Sequence, residues 1–168
     1  TMAEDSDVLD FEEMEEFLTA LYLFDETELT ACKREIEEEK QVAALVYIDN
    51  YEEALDSIED VKRSLLVALI DRRVNQYFYK MDGLVRKIEK DKYFVVFKYK
   101  YLEEMKDDKF RFLEETKAIK VGNEMAVTLS VGIGIKSDNY IENYECARAA
   151  IDLALGRGGD QVVIKEGD

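Results

Sequence analysis

Four polar side chains stand where this chain could do chemistry. Asp49 and Asn50 follow the apolar run "VAALVYI" at 42–48, Asp91 sits within "EKDK" at 89–92, and Arg157 lies inside "ALGRGGDQVVI" at 154–164. Carboxylates hold divalent cations, and an arginine among glycines offers a phosphate both a guanidinium and open backbone N–H groups. All four, Asp49, Asn50, Asp91 and Arg157, are candidate donors of a nucleotide site, and Asp49 and Asp91 are also candidates to hold Mg²⁺ weakly. Each has a plain structural alternative. Asn50 can be a helix N-cap. "LGRGGDQ" can be a helix C-cap, with Gly156 as the left-handed residue after the helix. "RKIEKDK" can be a solvated hairpin tip. A P-loop is excluded, because the Gly-Lys-Thr/Ser ending is absent and the order is helix–turn–strand.

The composition removes other chemistries. There is no histidine, so Ser-His-Asp and Cys-His catalysis are excluded within the chain, and so is the commonest metal ligand. Cys32 and Cys146 lack metal-ligand spacing and read as reduced, buried or half-buried thiols. The 168 residues carry 23 basic and 39 acidic side chains, a formal charge of −16. Such a surface repels nucleic acid and anionic lipid unless its basic groups cluster, and they do not. Neither nucleic acid nor direct membrane contact is expected. No apolar run approaches the roughly 20 residues that span a bilayer.

The elements that must position these residues follow from periodicity. Residues 3–18 read as a loose acidic start and a short helix, "LYLF" at 21–24 as a short strand or helix end, and a helix begins at Thr27, with Leu29, Cys32 and Ile36 at three- and four-residue steps. The run at 42–48 reads as a strand covered on both faces. A helical region at 52–79 is interrupted near 56–60. "LVRKI" and "YFVVFKY" form a hairpin, 101–119 one amphipathic helix, "MAVTLSVGIGI" a buried strand, 139–155 a helix and "QVVI" a closing strand. From residue 42 the order is β-α-β-β-α-β-α-β. That predicts an α/β (α+β) sandwich with a ferredoxin-like β-α-β-β-α-β core, a mainly antiparallel central sheet and flanking helices. Residues 1–39 form an N-terminal extension and linking helix, and 40–168 the domain. The Tyr77-Phe78-Tyr79 cluster reads as core and interface.

"YIDNYEEAL", "TLSVGIGI" and "ARAAIDLALGRGGDQVVI", in this order, resemble the GGDEF domain, the fold of diguanylate cyclases. "DNYEE" and the last block are more specifically similar to the degenerate GGDEF domain of the YybT/GdpP family, over roughly residues 40–166. That resemblance implies a cytoplasmic domain of a bacterial membrane-anchored cyclic-di-AMP phosphodiesterase. In this family it lies between a PAS domain, whose tail would be "LYLFDETEL", and a DHH-type phosphodiesterase module. It further implies a homodimer, ATP as a ligand, Mg²⁺ with the nucleotide, and Mn²⁺ for the DHH-type module.

The cyclase residues transfer poorly. Against Asp-x-Asp-x-Phe-Lys the chain reads Tyr47-Ile48-Asp49-Asn50-Tyr51-Glu52, so the first, metal-binding Asp is Tyr47. Against Gly-Gly-Asp-Glu-Phe it reads Glu89-Lys90-Asp91-Lys92-Tyr93, without either glycine. The guanine-reading Asn and Asp fall on Leu55 and Ser64, and Leu155 takes the place of a phosphate-binding Lys. The expectation is a regulatory domain that is not a cyclase and binds a purine nucleotide weakly. The alternatives are weak Mg²⁺-dependent ATP hydrolysis, or a structural dimerisation module in which Tyr47 and Tyr93 fill the pocket between first strand and hairpin.

Overall fold

The structure is a computed structural model that describes residues 11–136 and 138–167. Contacts divide the chain into two units, with the boundary between Glu38 and Glu39. The described residues of the first belong to helix α1 (Phe11–Glu39), whose last residue is the first of the second unit. Helix runs unbroken through 21–24, where a short strand or helix end is expected from sequence. Alternation over four residues in an all-apolar run carries no period of its own, and the surrounding Glu, Leu and Ala residues are strong helix formers. The loose start expected before residue 11 lies outside the described residues.

The second unit contains β1 (Gln41–Ile48), α2 (Tyr51–Asp56), α3 (Asp60–Tyr79), β2 (Leu84–Glu89), β3 (Lys92–Lys98), α4 (Leu102–Asp107), α5 (Phe112–Lys117), β4 (Leu129–Ile135), α6 (Tyr140–Gly156) and β5 (Val162–Glu166). The five strands form one sheet in the order β2-β3-β1-β4-β5. All pairs are antiparallel except β4 with β5. The expected ferredoxin-like core is therefore present, extended by α6 and β5.

β1 is central, and its two faces feed two apolar clusters. Val42, Ala44, Val46 and Ile48 join residues of α2, α3, α4 and α5. Ala43 and Leu45 meet Ala147 and Ile151 of α6. This two-sided burial is why the run at 42–48 lacks polar alternation. β4 solves a tighter problem. A Cβ on Gly132 would lie 2.5 Å from the Ala147 carbonyl oxygen and 2.8 Å from Ile151 Cα, and one on Gly134 would strike Asn143 O and Ala147 N. The helix backbone thus rests directly on the strand, and alanines at 147, 150 and 154, all buried, complete the fit.

The single helix expected over 101–119 is broken in two. Lys109 and Phe110 both adopt positive φ, 57° and 51°. The chain reverses there, with the Phe110 N–H donating to Met105 O at 2.9 Å. The reversal puts Phe110 and Phe112 into the same core. Asp108 fixes it by accepting from the Tyr77 hydroxyl at 3.1 Å and from the Arg111 N–H at 3.2 Å. The sequence period is helical on both sides of the break, so it cannot show the break. Tyr77 and Phe78 are core residues, as expected, and Tyr77 stacks on Phe112 at 4.4 Å.

Candidate functional site

β1 ends in Asp49 and Asn50, and both side chains point back into the domain's own framework. One Asp49 carboxylate oxygen accepts from Ser130 Oγ at 2.6 Å. The other accepts from Thr128 Oγ1 and from the Asp160 N–H, each at 2.9 Å. Ser130 is fully buried. Gly159, at φ 75°, passes so close that a Cβ there would lie 2.8 Å from the carboxylate. Asp49 therefore joins the end of β1, the start of β4 and the loop between α6 and β5. Asn50 makes a similar splice: its amide donates to Ala126 O at 2.8 Å and accepts from the Thr128 N–H at 3.1 Å. It occupies the N-cap position of α2 but makes no side-chain cap.

Asp91 sits in the turn of the β2–β3 hairpin, and its carbonyl accepts from the Ile48 N–H at 2.8 Å. The turn thus abuts the end of β1. Its lysines are committed. Lys90 pairs with Glu52 and lies 5.3 Å from the centre of the Tyr51 ring. Lys92 pairs with Glu89 at 3.1 Å and lies over the Tyr47 ring at 5.2 Å. These carboxylates hold both ammonium pKa values above the ordinary range, and burial raises that of Tyr47 against the pull of Lys92. By the alignment to the cyclase pattern, Lys90 stands at the second hairpin glycine and Glu52 at the strand lysine. Their ion pair ties the hairpin tip to α2.

Tyr47 and Tyr93 do not share a pocket. Val46 is the register partner of Tyr93, and Lys92 that of Tyr47. Tyr93 faces α3, fully buried, and its hydroxyl donates to Asp71, which also takes Lys87 Nζ at 3.0 Å. Tyr47 packs on the α6 side, half-buried. Pairing alternates faces along a strand, so tyrosines one register position apart lie on opposite sides.

The loop 156–161 is a helix terminus with a different left-handed residue from the one expected. Gly159 N–H donates to Ala154 O at 2.9 Å and Gly158 N–H to Leu155 O at 3.0 Å, the two bonds of a Schellman motif. Gly158, at φ 104°, is its C′ residue; Gly156 is still helical. The helix runs one residue past the expected end, since "LALG" has nothing to stop it until two glycines arrive together. Gly158→Ala is therefore expected to cost about 1 kcal/mol. Gly156→Ala should leave the thermal midpoint unchanged or raise it slightly, because a Cβ there meets no atom within 4 Å. Thermal melts of the two variants decide between the assignments. Arg157, in the cap position, is exposed and makes no side-chain hydrogen bond or ion pair among the described residues. Asp160 pairs with Lys117 at 2.6 Å.

The four residues singled out in sequence thus gather around one end of β1, but in different states. Asp49 and Asn50 are internal fasteners. Asp91 contributes its backbone. Arg157 presents a free charged group, and the Asp91 carboxylate has no hydrogen-bond or ion-pair partner among the described residues. Thr128 and Ser130 complete the cluster with Gly159 and Asp160 of the 154–164 loop; the first two escape sequence reading, and the trace they leave is their spacing, two apart on one face of an apolar strand. Both Asp49 oxygens are taken, and no three His, Cys, Asp or Glu side chains converge on a metal position among the described residues. The donor set does not fit a two-metal centre.

A family model for the GGDEF domain of GdpP-like cyclic-di-AMP phosphodiesterases matches residues 46–168. The cyclic-di-AMP phosphodiesterase PdeA of Listeria monocytogenes is 33% identical over 87% of the chain. The GdpP protein of Bacillus subtilis, a cyclic-di-AMP phosphodiesterase, is 32% identical over 86%. The chain spans about a fifth of these relatives' length, 22% of each. Among solved structures, a GGDEF domain from Pseudomonas aeruginosa superposes with a TM-score of 0.64 at 18% identity, covering 87% of this chain and 96% of the other. The active GGEEF domain of a Vibrio cholerae diguanylate cyclase gives 0.61 at 13% identity, covering 80% and 89%. At these identities the likeness is one of fold.

Proposed function

The chain belongs to the GGDEF-domain family of GdpP-like cyclic-di-AMP phosphodiesterases, and from that premise we propose that it is a signal-coupling domain without cyclase chemistry. Its place is within a longer, membrane-anchored phosphodiesterase, between a PAS sensor and a DHH-type catalytic module. The observation that carries this reading is the use made of Asp49. The one acid left in the strand motif spends both carboxylate oxygens on Thr128, Ser130 and the Asp160 N–H. Phosphoryl transfer of the cyclase type needs carboxylates free to hold metal ions that bridge phosphate oxygens. Tyr47 in place of the first acid, and the Lys90–Glu52 pair at the hairpin, support the same reading.

The chain incubated with GTP or ATP and Mg²⁺ or Mn²⁺ is expected to form no cyclic dinucleotide, read by chromatography. Product that disappears in Asp91→Ala would overturn the reading.

Nucleotide sensing without turnover is a second function, favoured by one observation: Arg157 carries an exposed charge with no partner among the described residues, at the exposed C-terminal end of α6. Phosphates of ATP would meet Arg157, with Asp91 nearby as a single weak Mg²⁺ donor. A thermal shift with ATP that Arg157→Ala removes supports it; equal shifts in both proteins place the nucleotide elsewhere.

A further inference from the structure

Strand β2 is an edge of the sheet, and its outer side is unpaired among the described residues. The Tyr99 N–H donates to Lys40 O and the Ile48 N–H to Asp91 O, so the odd-numbered residues of β3 bond toward β1. The even-numbered ones therefore bond toward β2, where Val96 pairs with Leu84 and Phe94 with Arg86. That leaves the N–H and C=O groups of Val85 and Lys87 pointing away from the sheet. An edge guarded only against pairing shows charge and hides apolar groups. Here apolar groups stand out beside the cations: Leu84 is 78% exposed, Ile88 46% and, at the end of α3, Tyr79 81%. Tyr79, Lys80, Gly83, Leu84 and Val85 help line an open groove of about 610 Å³ at the start of the strand. The opposite edge, β5, is half-buried over 162–164 and offers no such surface.

We propose that β2 takes an added antiparallel strand from a protein partner, an extended segment of the pattern acid–apolar–apolar–acid. Its four residues lie opposite Arg86, Val85, Leu84 and Gly83 in turn, with main-chain bonds to the free groups of Val85 and Lys87. Charge selects the acids. Arg86 and Lys80 have no ion pair among the described residues. The carboxylates around them are already taken: Asp71 by Lys87 and Tyr93, Asp82 by Tyr101, Glu89 by Lys92. The first acid meets the Arg86 guanidinium across the strands, and the last meets Lys80 over the groove. Opposed side chains share a face, so the residue opposite Val85 points to the α3 side, into the groove beside Tyr79. The residue opposite Leu84 packs on the other face, where Phe94 and Val96 are half-buried. Main-chain bonds thus supply affinity and alternate side chains specificity, as in other strand additions. Charge also rules against a second copy of this chain. Two β2 strands joined about their middle would set Arg86 on Arg86 or Lys87 on Lys87. The inference goes beyond the signal-coupling reading and does not rest on the loss of cyclase chemistry.

The test titrates the peptide acetyl-Ser-Glu-Ile-Leu-Glu-Ser-amide into the isotope-labelled 168-residue chain, followed by NMR. The amides of Val85 and Lys87 should shift with added peptide and exchange more slowly with water. The same peptide with lysine in place of both glutamates should not bind. Arg86→Glu should weaken the acidic peptide about tenfold and give the lysine peptide measurable binding. Lys87→Pro removes an outward N–H without breaking a bond to β3, so it should abolish binding while native circular dichroism is kept. Lys165→Glu, the same loss of a cation on β5 at the other edge, should leave binding unchanged. No shift along β2 at millimolar peptide, equal binding of the two peptides, or full binding by the Arg86→Glu or Lys87→Pro protein would each overturn the proposal.

Discussion

Gly132→Val is expected to abolish the folded domain, and Gly132→Ala to cost about 3 kcal/mol or more. The added carbon has nowhere to go. It would sit 2.5 Å from Ala147 O and 2.8 Å from Ile151 Cα, atoms of the α6 main chain that no rotamer change can move. Relief needs α6 to lift off β4, which would open the cluster of Ala43, Leu45, Ala147 and Ile151. Native domains hold only about 5–15 kcal/mol in total, so the larger side chain should leave little or nothing folded. Urea unfolding followed by circular dichroism measures the alanine variant. Gly156→Ala, the same change on open surface, is its control. Because the obstruction is backbone, adding Ala147→Gly should not rescue Gly132→Ala. A Gly132→Ala protein with a wild-type midpoint would mean that α6 does not rest on the strand.

The second large effect belongs to Asp49. Asp49→Ala is expected to destabilise the domain by about 3 kcal/mol, because it deletes three hydrogen bonds to a charged acceptor and strands the buried Ser130 hydroxyl. Asp49→Asn should recover only part of this, since its amide nitrogen is a donor placed where donors already converge. Asp91→Ala should stay within about 0.5 kcal/mol of wild type, because only its carbonyl is used in the structure. The contrast is the useful measurement. If Asp49 were an open ligand site, both carboxylates would be dispensable for folding and both would matter for binding. Equal, small losses in urea unfolding for the two variants would remove the case for Asp49 as a fastener. It would also remove the main support for a domain without cyclase chemistry.

The order of elements from residue 42 was legible in the sequence because each signal there is local. "VAALVYI" has the length and composition of a strand buried on both faces, the "EKDK" turn closes a hairpin, and apolar periodicity sets α3 and α6. The family was legible as well, through "DNYEE" and "ALGRGGDQV", which survive as one cluster at the end of β1. Local signals also fixed what the chain lacks: no histidine to act as base, no glycines at the hairpin, no acid at Tyr47.

Tertiary structure decided the rest, wherever a residue's role depends on what lies across the chain from it. Asp49 looks the same in sequence whether it faces a metal or three hydrogen-bond donors, and those donors come from residues 79 to 111 positions away. Tyr47 and Tyr93 belong to opposite faces only because of the register between β1 and β3. The break at Lys109 and Phe110 needs a core that wants Phe110 and Phe112 together, and the end of α6 needs the paired bonds to Gly158 and Gly159. Gly132 and Gly134 read as ordinary strand residues until α6 is laid on them. Sequence periodicity reports which face a residue takes; the distance between two packed backbones, and the partner a polar group finds, exist only once the chain has folded.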